Sequence, residues 1–199
     1  SATIPFGNTR IQKGGTYNSL FDILIAPAQT TANSAEGVDD SGERIRFNMQ
    51  RLTSILDFDL TNSTSDPIRC VLLTAESDDF LSAKSLNFDL AQGEAAAPAL
   101  DTEERSKSIL INFDGGSASA AAQLDAFFNV LPGNYNLNLD IITATKQMAS
   151  VKIDRTDKPF EAGVLYKKEV GTLTPSAIPA PSLDWPDQDI DATHEITVG

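Results

Sequence analysis

Apolar residues in this chain return at every second position, in run after run, and that period belongs to an extended strand with one buried face. Tyr135, Leu137, Leu139 and Ile141 alternate with Asn136, Asn138 and Asp140 in the cleanest case. Ile45, Phe47 and Met49 alternate with Arg46 and Asn48, and Leu56, Phe58 and Leu60 with Asp57 and Asp59. The phase flips between Met49 and Leu52, which calls for a bulge or a bend into a new strand. Leu86, Phe88 and Leu90 predict another strand, and Ile109, Ile111 and Phe113 the next, with Asp114-Gly115-Gly116 read as the turn that ends it. Phe128 and Val130 lead into the turn Leu131-Pro132-Gly133-Asn134. Val151 and Ile153 then predict a hairpin partner for the Tyr135–Ile141 run, across a turn at 144–147. Val164, Tyr166, Lys168 and Val170 make one more strand. About ten strands at this spacing predict an all-β chain folded as a two-sheet antiparallel β-sandwich.

Helix is scarce: only the Ala-rich run 118–128 predicts one or two helical turns. Residues 29–42, 91–105 and 172–191 read as loops. The expected core is Phe58, Leu60, Leu72, Phe88, Ile111, Phe128, Leu137, Leu139, Ile141 and Tyr166. Gly163 stands just before a strand, where a tight bend or a positive φ is expected.

The chain's 199 residues, 41% of them hydrophobic, suffice for one large domain or for one domain and part of another. Acids outnumber bases 28 to 15, for a net charge of −13. Such a surface repels a phosphate backbone and an anionic lipid face, which argues against nucleic acid and anionic membrane as partners. The single cysteine, Cys70, can form no internal disulfide, and in the apolar run 68–74 it reads as a small buried hydrophobe. A lipid-anchor cysteine would stand at the mature N-terminus, and Cys70 does not. No stretch approaches the ~20 apolar residues of a spanning helix. No signal peptide is visible, and the start at Ser1 reads as a trimmed end.

Catalysis lacks its parts, and the chain is expected not to be an enzyme. The only histidine is His194, near the C-terminus, and the only cysteine lies in a strand. No GxGxxG, P-loop or HExxH occurs, so no cofactor is expected. The acid pairs Asp39/Asp40, Asp57/Asp59 and Asp78/Asp79 read as solvated. Asp187, Asp189 and Asp191 form a D-x-D-x-D run, the spacing of a calcium loop. Ala192 stands where such a loop needs Gly and Val198 where it needs Glu, so no metal site is expected.

The C-terminal stretch carries Pro175, Pro179, Pro181 and Pro186 and reads as an extended arm. At its end Ala192, His194, Ile196 and Val198 share one face and Thr193, Glu195 and Thr197 the other. This is a candidate assembly strand, able to add to a neighbour's sheet edge or to fold back on its own. Trp185, the only tryptophan, could plug the arm onto the sandwich or stack on a sugar.

Three passages together resemble the fimbrillin family, the fimbrial subunits and related surface proteins of Gram-negative anaerobes. Phe21-Asp22-Ile23-Leu24-Ile25-Ala26 followed by 45–60 is similar to the family's D-L-L-x-A … F-x-H-x-L-x-x-L-x-F-x-L passage, with Gln50-Arg51 where a His is common. Phe128-Asn129-Val130-Leu131-Pro132 is the second passage, and Lys158-Pro159-Phe160-Glu161-Ala162-Gly163-Val164-Leu165-Tyr166 resembles F-x-A-G-x-x-Y. A tail tryptophan, here Trp185, is also usual. The resemblance implies a transthyretin-like sandwich over 45–171. Residues 1–44 would then be the remnant of an N-terminal domain or its connecting segment, and 172–199 the arm. It further implies export to the cell surface, fimbrium or outer membrane, and a structural role in the shaft or tip. The partners implied are other fimbrial subunits, with host protein or glycan beside them. The alternative is a surface-anchored module of similar fold that binds glycan or host protein.

Overall fold

Aromatic and β-branched residues at alternate positions give pleated ribbons with one apolar face, and such ribbons are stable only when that face is covered. The computed structural model describes residues 2–5, 11–13, 17, 22–26, 49–77, 80–83, 85–88, 99–100, 105–117 and 122–178. Among these there are strands and no helix. In chain order they are β1 (Ala2–Pro5), β2 (Ile11–Lys13), β3 (Leu24–Ile25), β4 (Gln50–Arg51), β5 (Ser54–Asn62), β6 (Ile68–Ala75), β7 (Ser82–Ala83) and β8 (Ser85–Phe88). They continue with β9 (Ala99–Leu100), β10 (Arg105–Ser106), β11 (Ser108–Ser117), β12 (Ala122–Val130), β13 (Leu137–Thr143), β14 (Gln147–Ile153), β15 (Leu165–Thr172) and β16 (Ser176–Ala177).

Two sheets carry the fold. The larger runs β16-β14-β13-β6-β11-β2 and the smaller β12-β5-β15, with short ribbons β1-β8-β9, β10-β7 and β3-β4 beside them. Pairing is antiparallel as expected, except where β2 joins β11 and β15 joins β5 in parallel. In the larger sheet the inward side chains form rows across the strands: Ile111, Val71, Ile141 and Ala149, then Ile109, Leu73, Leu139 and Val151. In the smaller sheet Leu56 lies between Phe128 and Tyr166, and Phe58 between Ala126 and Lys168. Both inward faces merge into one buried cluster, the core of a β-sandwich. Phe58 and Phe128 meet edge-to-face at 5.8 Å inside it.

Several expectations change. Residues 122–128 are strand, part of β12, because Leu124, Ala126, Phe128 and Val130 alternate inward and the ladder to β5 overrides the helix preference of alanine. Asp114-Gly115-Gly116 does not end its strand. β11 runs on to Ser117, with a register shift against β6 after Asn112. Leu72 is only half-buried, because its neighbours Val71 and Leu73 face the core. In an uninterrupted apolar run the phase is set by the flanking strands. Tyr166 packs against the core but stays half-buried, and Phe88's side chain lies outside the described residues. Met49 is 53% exposed, and the rest of its predicted strand, 45–48, lies outside the described residues. The predicted loop from 172 begins as strand: β15 ends at Thr172, and β16 pairs its Ser176 and Ala177 with Met148 and Gln147 of β14.

Gly163 has φ +78°, the left-handed region where glycine alone is unstrained. Its N–H donates to the Thr53 carbonyl at 2.9 Å, tying the start of β15 to the start of β5.

Candidate functional site: an open seam between two edge strands

Trp185, Ala192, His194, Ile196 and Val198 lie outside the described residues, as do Asp187, Asp189 and Asp191. Among the described residues, two sheet edges are left mostly unpaired.

β14 and β15 are neighbouring edges of the two sheets. The outer side of β14 is paired with β16 only at Gln147 and Met148, and among the described residues β15 pairs only with β5. Their inward residues show the consequence. Ile141, Leu139 and Leu137 on β13 are fully buried, while their ladder partners Ala149, Val151 and Ile153 are half-buried. On β15 Tyr166 and Val170 are likewise half-buried, and Leu165, on the outward face, is 56% exposed. Between the strands opens a cavity of about 430 Å³ whose apolar lining includes Leu56, Phe58, Ile153, Phe160 and Tyr166. Leu56, Phe58 and Phe160 stay buried there, and the half-buried Ile153 and Tyr166 carry the apolar lining outward.

One end of the seam is a rigid aromatic wall. Phe160 and Gly133 exchange backbone hydrogen bonds of 2.7 and 3.0 Å. The Phe160 ring lies 5.3 Å from Tyr135 and 5.1 Å from Tyr166, the latter edge-on. Tyr135 is itself fixed, its hydroxyl donating to the Leu131 carbonyl. The Arg155 guanidinium sits 4.4 Å from the centre of Phe160 and 4.7 Å from that of Tyr166, and donates to the carbonyls of Lys158 and Pro159. Tyr166 Oη accepts from the Glu161 N–H at 2.8 Å. The F-x-A-G-x-x-Y passage therefore builds this wall and turns the chain into β15.

The rim is cationic: Lys152, Arg155, Lys158, Lys167 and Lys168 all line the cavity. Lys152 pairs with Glu76 at 2.9 Å, and Lys167 with Asp57 at 3.5 Å. Lys168 stands opposite buried Phe58 in the ladder, hence on the inward face, yet it is exposed and has no ion-pair partner among the described residues. Asp57 corrects the expectation of a solvated acid. It is buried on the outward face of β5, and burial raises its carboxyl above the ordinary value, with the Lys167 charge pulling the other way. Asp57 in turn raises Lys167.

Sequence reading passed over this rim, although a signal was available. Lys146, Lys152, Arg155, Lys158, Lys167 and Lys168 fall close together in the chain, and no Lys or Arg follows. After Lys168 come only acids: Glu169, Asp184, Asp187, Asp189, Asp191 and Glu195.

Elsewhere, Cys70 is half-buried on β6 and pairs with Asn112 and Ile142, on the outward face and not in the core. Burial pushes its thiol up, which disfavours the nucleophilic thiolate. A cleft of about 300 Å³ is lined by Glu76, Asn134, Tyr135, Asn136 and Thr156. That ring is 3% exposed and presents no stacking face. Among the described residues no helix is long and apolar enough to cross a membrane.

No family model matches this sequence, and no curated protein does. Solved structures that match part of the chain include two from Bacteroides. A proposed cell adhesion protein of Bacteroides uniformis matches 70% of this chain at 17% identity, with a TM-score of 0.45. A second, from Bacteroides ovatus, matches 77% at 16% identity, with a TM-score of 0.40. The matches take in 55% and 58% of those two chains, so this chain spans little more than half of either.

Proposed function

We propose that this chain is a structural subunit of a cell-surface fimbria, of the fimbrillin kind, joined to its neighbours by β-strand addition. The observation that carries the reading is the seam: a cavity between β14 and β15 lined by core and half-buried apolar side chains, beside two edges that among the described residues lack ladder partners over most of their length. An unpaired edge beside half-buried apolar residues is a template for an extended segment, whose backbone satisfies the edge and whose alternate side chains fill the cavity. The candidate strand at 192–198 has the required alternation, with Ala192, His194, Ile196 and Val198 on one face. The proline-rich stretch before it cannot itself join a central ladder and serves as a tether. The chain acts in this reading by assembly at the cell surface and has no catalytic role. The test is removal of residues 187–199. The sandwich should keep its melting temperature within a few degrees while polymers disappear from electron micrographs. Polymers that survive the truncation would remove the arm from the assembly and leave it at most a lid.

A further inference from the structure

The seam is both apolar and ringed by lysines, and a generic apolar strand does not suit it. On an edge strand an inward-pointing lysine discourages indiscriminate pairing, and Lys168 is such a residue, opposite Phe58 on β15. A strand laid beside β15 would cover Lys168 unless a carboxylate stood within reach of its long stem. Lys167 on β15 and Lys152 on β14 point to the outward faces of their sheets, opposite Asp57 and Asn138. A suitable occupant therefore has an apolar inward face and an acidic outward one, which Lys152 and Lys167 meet directly and the exposed Lys168 reaches by its long stem.

We propose that the seam selects an acidic strand, the 187–198 segment of a second copy of this chain, and that the lysine rim makes the selection. This rests on the strand-addition reading above and names its partner. Within that segment Ile190, Ala192, Ile196 and Val198 share one phase with Gln188 and His194. Asp187, Asp189, Asp191 and Glu195 share the other with Thr193 and Thr197. The apolar phase matches the cavity and the acidic phase faces the rim. A second copy is favoured by the direction of β16. It runs antiparallel to β14 and carries the chain past Lys146, away from the Ile153 end of β14 where the cavity opens. Two copies at −13 each repel one another at long range, so a local match of charge has to do the recognising.

The test is sedimentation of the full chain over a concentration series, with melting curves as a check on folding. Replacing Asp187, Asp189 and Asp191 with Asn lowers the net charge and so weakens general repulsion. The proposal nonetheless expects association to weaken on the order of tenfold, because the partner's recognition face is gone. Lys152→Gln with Lys168→Gln should do the same. Lys152→Glu with Lys168→Glu in one copy, and Lys in place of the three aspartates in another, should each fail to self-associate and yet bind one another when mixed. Association of the Asn variant that equals or exceeds the parent overturns the charge selection. If removal of 187–199 still abolishes assembly in that case, strand addition stands without it; if assembly survives removal, both readings fail. A full chain that stays monomeric at every concentration overturns the second copy as occupant.

Discussion

β13 and β14 are the two arms of one hairpin, written in the same alternating pattern, and they end in different environments. Leu137, Leu139 and Ile141 are shut off from solvent; Val151 and Ile153, one ladder step away, are half-open. The difference is neighbours. β13 has a strand on each side, β14 and β6, whereas among the described residues β14 has β13 and only the two-residue β16. Alternation tells a strand which face to bury. It does not say whether anything arrives to cover that face.

The largest expected effect tests this contrast directly. Leu139→Ala removes side-chain volume from a closed core and should lower stability by about 2–5 kcal/mol in urea melts. Val151→Ala, in the same row at the open seam, should cost about 1 kcal/mol or less, since the surroundings are already half solvent. Equal losses at the two positions would mean that the seam is closed in solution. A Val151 loss that grows with protein concentration would sharpen the contrast, because a second copy then supplies the missing cover.

The same contrast explains how much of the molecule was legible in the sequence. Strands with polar residues on one phase, such as Tyr135–Ile141, could be read with the correct face, because only one phase was apolar. Val71-Leu72-Leu73 is apolar on both phases, so the choice fell to ladders with Ile111 and Ile141, which no local pattern contains. The Ala-rich run misled over 122–128 for a related reason: alanine favours helix by tenths of a kcal/mol, and pairing with β5 outweighs that. The seam was not legible, since it consists of what the described residues leave unpaired beside β14 and β15. Its lysines were, as a run of bases between 146 and 168 in an acidic chain.

A second, smaller effect lies where the chain passes from the larger sheet to the smaller. Gly163→Val should cost about 1–3 kcal/mol. A Cβ there would meet nothing nearer than Arg51 Cβ at 3.7 Å, so the penalty is one of backbone conformation and not of space. Gly163→Asn, better tolerated at φ +78°, should recover part of it. If Val leaves the melting temperature unchanged, this turn into β15 is not holding the seam's edge in place. Arg155→Ala comes next, at about 0.5–1 kcal/mol, through loss of its stacking over Phe160 and Tyr166.

The smallest expected effect concerns Asp57, the buried acid on the outward face of β5, and appears mainly as a change in pH dependence. Its folded-state carboxyl is raised above the ordinary 3.8, chiefly by burial, against the pull of Lys167. A raised acid binds its proton more tightly in the folded chain than in the unfolded one. Its contribution therefore favours folding below the ordinary value, and is lost as pH rises from there through the raised value. Asp57→Asn removes this loss. Urea melts of the two proteins between pH 3.5 and 7 should show the variant gaining on the parent as pH rises, then holding a constant difference. Lys167→Met should move the parent the other way: Asp57 would then lose its partner at 3.5 Å, and the penalty for ionising it would grow. If Asp57→Asn instead falls behind the parent as pH rises, attraction to Lys167 outweighs burial. In that event β15 is fastened to β5 by charge as well as by its ladder.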